Sequence, residues 1–61
     1  MKLIKVTLAK TGETILINPN AILNVIASDD KKSTDIFIWE VDGCFNVKET
    51  LEEIYKMVNE R

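Results

Sequence analysis

Residues 36–39 read Ile-Phe-Ile-Trp, four large apolar side chains in succession within a chain of only 61 residues. As a strand, this run sends Ile36 and Ile38 to one face and Phe37 and Trp39 to the other. Both faces then need cover. A domain this small hides only about 60% of the surface its unfolded chain exposes, so it needs disulfides, a structural metal or association to supplement its core. The single cysteine, Cys44, rules out an intrachain disulfide, and the lack of histidine rules out a Cys/His zinc site. Association is the remaining route.

The rest of the chain reads as short strands and one helix. Ile4, Val6 and Leu8 alternate with Lys5 and Thr7, the pattern of a half-buried strand. Lys10-Thr11-Gly12 supplies a turn, and Ile15 and Ile17 point inward on the return strand, leaving Leu16 outside. At Asn18-Pro19-Asn20-Ala21, proline fixes φ near its helical value and Asn18 caps the amides after it, giving one helical turn or a tight bend. Ile22 to Ala27 is apolar on both faces and rich in β-branched residues, which favours a strand. Asp29-Asp30-Lys31-Lys32-Ser33 forms a polar loop. Asp42-Gly43 predicts a two-residue type I′ hairpin turn between the Thr34–Val41 strand and a last strand carrying Phe45 and Val47.

At Thr50 the period changes from two to 3.6. Thr50 and Glu53 have the spacing of a capping box, and Leu51, Ile54, Tyr55 and Val58 fall on one helical stripe with Met57 at its edge. These signals predict a single α+β domain: a small curved antiparallel five-stranded sheet with one C-terminal helix. The strands are expected at about 2–9, 13–17, 22–28, 34–41 and 44–48, and the helix at about 51–59. One such helix is about 10 Å across and strands are spaced about 4.8 Å apart, so it covers only part of one sheet face. The uncovered face predicts a homo-oligomer whose interface draws on Phe37, Trp39, Ile36, Ile38 and Leu16.

Catalytic chemistry has little to stand on. Without histidine, acid–base work near neutral pH needs a carboxylate or lysine with a strongly shifted pKa in a deep polar pocket. Asp29 and Asp30 read as a solvated turn, Glu52 and Glu53 as helix N-terminal acids, and Cys44 as a small buried hydrophobe. Glu40 and Asp42 could together hold a hard cation, but carboxylates at a strand end are more often solvated. No catalytic, metal-binding or cofactor-binding residue is therefore assigned.

An alternative to the protein interface is a stacking platform of Phe37, Trp39 and Phe45 for single-stranded nucleic acid, with Lys5, Lys10, Lys31 and Lys32 gathered around it. The net charge of −2, and the acids Asp35, Glu40 and Asp42 beside the platform, weigh against it. Neither a signal peptide nor an apolar run of about 20 residues is evident, so a cytoplasmic protein without membrane insertion is expected, its thiol reduced.

Leu3-Ile4-Lys5-Val6-Thr7-Leu8 followed by Gly12, then Ile17-Asn18-Pro19 with Ile22, and Gly43 leading into Phe45-Asn46-Val47-Lys48-Glu49-Thr50 with Glu52-Glu53-Ile54 form an ordered series. It resembles the FlbD family, also called swarming motility protein SwrD, small proteins encoded in flagellar operons. The resemblance spans about residues 3–58. It departs at the longer 29–35 loop, at Asp42-Gly43 where the family has Asn-Gly, and at Trp39-Glu40-Val41. It implies a non-enzymatic role supporting flagellar motor output or swarming, with no catalytic residues to carry over.

Overall fold

The computed structural model describes residues 2–39 and 41–60. Five strands precede a single helix: β1 (Ile4–Thr7), β2 (Thr14–Ile17), β3 (Ile22–Ala27), β4 (Thr34–Ile38), β5 (Phe45–Val47) and α1 (Leu51–Asn59), with a 3-10 turn at Pro19–Ala21. The class is α+β. The strands do not make one five-stranded sheet, however: β1 and β2 pair antiparallel, and β3, β4 and β5 form a separate antiparallel meander.

The division arises where β1 meets β5. A single bridge, Leu8 opposite Val47, joins the two sheets, with the Ala9 amide donating to Asn46 O (2.9 Å) and the Lys48 amide to Thr7 O (2.8 Å). In a continuing antiparallel ladder Thr7 would return a bond to the Lys48 carbonyl. Instead its amide donates to Glu49 Oε1 at 2.8 Å and its hydroxyl to Oε2 at 3.0 Å. The carboxylate takes the place of the next strand residue, and the ladder stops. The main chain of Glu49 is engaged as well, its carbonyl accepting from the hydroxyl of Thr34 at 2.7 Å. Thr34 is completely buried, so that bond also satisfies a hydroxyl with no access to water.

Both sheets turn their inner faces to one core: Ile4, Val6 and Ile17 from the first, Ile36 and Val47 from the second, and Ile54 from α1. A bulge in β3 adjusts the packing. Ile22 lies opposite Ile38 and Asn24 opposite Phe37, so β3 advances two residues while β4 advances one. That extra residue lets Ile22 and Val25, three apart in sequence, both pack against the core. The opposite face is left with Leu23 and Ile26, both exposed.

The β4–β5 register differs from the one a two-residue Asp42-Gly43 turn would set. Such a turn puts Val41 opposite Cys44 and hence Ile36 opposite Glu49, whereas Ile36 lies opposite Phe45 and Thr34 opposite Val47. The shift is four residues, an even number, so every side chain keeps its face. Burial of Val47 and its bridge to Leu8 hold β5 in this position, so the connection between Ile38 and Phe45 is wider than a two-residue turn, with Gly43 at φ +90°.

Local chemistry acts as expected at both helical starts. Asn18 Oδ1 accepts from the Asn20 amide at 3.0 Å. The capping box is complete, with Glu53 N donating to Thr50 Oγ1 (3.1 Å) and Thr50 N to Glu53 Oε1 (2.9 Å). The backbone amide and then the hydroxyl of Thr50 hold the Glu53 carboxyl below its ordinary value.

Two predictions follow from these contacts. Glu49→Ala strands the Thr7 amide and hydroxyl and should lower unfolding stability by about 1–3 kcal/mol in urea titrations, with Glu49→Gln costing less. An unchanged midpoint for Glu49→Ala would remove the carboxylate as the tie between the sheets. At Glu53 the folded pKa is lower than the unfolded one, so its contribution is complete above the ordinary value of 4.5 and is lost as pH falls through the lower folded value. Glu53→Gln should therefore flatten the acid side of the stability–pH curve relative to the parent, as measured by denaturation at pH 3 to 6.

Candidate interaction surface

The run that constrains the fold resolves clearly. Ile36 is 0% exposed and Ile38 packs against the core, while Phe37 is half-buried on the outer face and Trp39 is 61% exposed. Ile36 is thus a core residue under the sheet and offers no contact surface, and Ile38 faces inward with it. Leu16 is 60% exposed, but it sits on β2 opposite Lys5, in the other sheet from Phe37 and Trp39. Of the five residues expected to form one interface, only Phe37 and Trp39 lie together on an outer face. Leu23 joins them from the β3 bulge. The Trp39 amide donates to Ala21 O at 2.8 Å, anchoring this end of β4 to the 3-10 turn.

A second apolar surface lies on the other side of that turn. The helical stripe read from the sequence is only partly used for the core: Ile54 is buried and Met57 packs beside it, but Leu51, Tyr55 and Val58 stay exposed. A nine-residue helix over a curled sheet reaches the core only along its central line. Its flank faces Pro19, Ile22 and Val25 across an open groove of about 680 Å³. Sequence reasoning placed the stripe but missed the groove, because the opposing wall depends on the bulge and on the placement of the 3-10 turn.

Polar features are structural in character. Ser28, Ser33, Asp35 and Asn46 line a shallow pocket of about 430 Å³, where the Asn46 amide donates to Ser33 Oγ (2.9 Å) and Asp35 Oδ1 (2.8 Å). Asp30 closes the preceding loop, accepting from the Ser28 hydroxyl (2.6 Å) and the Lys32 amide (2.9 Å). Those two bonds, the hydroxyl first, pull its pKa below the ordinary value. Lys31 turns through φ 59° in the same loop. Cys44 is exposed, not the buried hydrophobe expected, because β5 begins one residue later and leaves it in the wide loop. Glu40, one half of the carboxylate pair considered for a cation, lies outside the described residues. Among those described, no group of three His, Cys, Asp or Glu side chains could hold a metal ion.

Lys31 and Lys32 are kept apart from Trp39. Lys31 and Lys32 precede Thr34 and Trp39 follows Ile38, so the five residues of β4 stand between them, roughly 17 Å of strand. Among the described residues no helix is long and apolar enough to cross a membrane. No family model, no curated protein and no solved structure matches the chain.

The exposures of Cys44 and Trp39 can be checked directly. The native thiol should react with a chromogenic disulfide reagent about as fast as in denaturant, and the single tryptophan should show the red-shifted, iodide-quenchable emission of a wet indole in dilute solution. A thiol protected until unfolding would place Cys44 back in the interior.

Proposed function

We propose that this chain is a non-catalytic interaction module that self-associates in the cytoplasm and serves as an assembly accessory in flagellar motility. One observation carries the self-association: among the described residues, nine large hydrophobic side chains are exposed whereas six apolar side chains form the buried core. Single exposed apolar residues are ordinary in any protein. Here several of them cluster, Leu23 and Trp39 with the half-buried Phe37 on the outer face of β3 and β4, and Leu51, Tyr55 and Val58 along the groove, and clusters of this kind mark contact surfaces. Trp39 suits the role of anchor because a large rigid aromatic side chain gains much area for little lost freedom.

The non-catalytic part is supported by the direction of the displaced carboxyl groups. Asp30 and Glu53 are both held below their ordinary values, whereas a general base near neutrality needs a carboxyl raised toward it. Each is also committed to a loop or a cap. The flagellar setting is supported by the resemblance to the FlbD family.

Light scattering over a dilution series tests this reading. The mass should exceed the 7.0 kDa of one chain at high concentration and fall on dilution, and Trp39→Ala should shift the transition to higher concentration by about tenfold or more. In the host, deletion of the gene should reduce swarming on soft agar. A constant single-chain mass to millimolar concentration defeats the self-association, and unimpaired swarming defeats the flagellar assignment.

A further inference from the structure

On the reading that this chain self-associates, we infer that the groove between α1 and the β3 and 3-10 wall is a two-fold contact. In it, α1 of one copy packs antiparallel to α1 of a second copy, with Tyr55 near the axis.

A compact monomer of this mass exposes about 4,000 Å². This chain exposes 4642 Å², an excess of roughly 600 Å². A standard interface takes about 800 Å² from each partner, so the surplus approaches one half of a stable dimer contact.

Leu51, Tyr55 and Val58 are 44%, 68% and 41% exposed, and their 4 and 3 spacing aligns them as a ridge about 10 Å long. Beside the ridge runs the trough floored by Pro19, Ile22 and Val25. Ridge and trough side by side on one molecule are what a two-fold axis needs, since each copy then fills the other.

Charge selects the direction. Glu52 and Lys56 lie on the same helix, 3.8 Å apart as an exposed pair. Parallel packing, with the two-fold along the helices, would put the Glu52–Lys56 flanks of the two copies on opposite sides of the contact, where they do not meet. Antiparallel packing about Tyr55 brings Glu52 of one copy to within about 3 Å along the axis of Lys56 of the other, and opposes the two helix dipoles. The intrachain pair then becomes part of a four-charge set.

Cross-linking and mass together test the contact. In a Cys44→Ser background, Tyr55→Cys should form an intermolecular disulfide with oxidised glutathione at least about tenfold faster than a Glu13→Cys control on the exposed turn. Tyr55→Lys should raise the dimer midpoint about tenfold or more while circular dichroism keeps the parent signal. Val58→Lys should do the same should Tyr55→Lys not fold. If the parent associates but Tyr55→Cys links no faster than the control and neither lysine variant shifts the midpoint, the groove is overturned and self-association stands. If the parent is a single chain throughout, both are overturned.

Discussion

Glu49 holds the molecule together at the point where its two sheets would otherwise part. A two-stranded hairpin is marginal in water, and three short strands need a hydrophobic face packed on something else. Neither sheet is sufficient alone, so their joint enclosure of one core is what makes a folded domain. The carboxylate of Glu49 takes both polar groups of Thr7 on β1, and its carbonyl takes the buried hydroxyl of Thr34 on β4. Hydrogen bonds to a charged group contribute about 1.5–3 kcal/mol, a large part of the roughly 5 kcal/mol that holds a small domain. The next residue, Thr50, caps α1. Two adjacent positions thus end the ladder, tie three elements and start the helix.

That arrangement fixes what α1 can cover. Since the helix starts directly after the tie, its position over the core is set, and only Ile54 and Met57 reach inward. The β3 bulge turns Ile22 and Val25 inward at the other wall, while the apolar residues between and beyond them, Leu23 and Ile26, face out. The exposed surfaces are therefore consequences of the core geometry. Burying Leu51 and Tyr55 on the same chain would require rotating α1 and withdrawing Ile54.

Features that rest on neighbouring residues were legible in the sequence. The Thr50–Glu53 box, the Asn18-Pro19 turn and the alternation of Ile4 and Val6 each need only a few consecutive positions, and each is present in the structure. The separation of Ile36 from Phe37 follows from strand geometry alone, although which of them faces inward does not. Features decided by distant residues were not legible. Asp42-Gly43 has the local preference for a tight turn, yet Val47 gains more by pairing with Thr34 and Leu8, and the hairpin opens to suit. Nothing local marks Glu49 as a tie, because its partner Thr7 is 42 residues away. Cys44 seemed buried because the expected strand included it. The groove was hidden for the same reason, since its two walls come together only once the register and the bulge are set.

Self-association, as proposed, bears on folding as well as on function. A second copy that binds only the folded form stabilises it by RT ln(1 + [L]/Kd), about 2.7 kcal/mol at a hundredfold excess over Kd. With six buried apolar side chains among the described residues, that is comparable with the whole contribution of the Glu49 tie. On that proposal, the burial missing at the open groove and the exposed tryptophan is supplied by a second copy. A monomer optimised in isolation would replace Tyr55 and Trp39 with polar residues, at little cost to its core and with less risk of aggregation. Their presence near one 3-10 turn fits the proposed contact with another polypeptide.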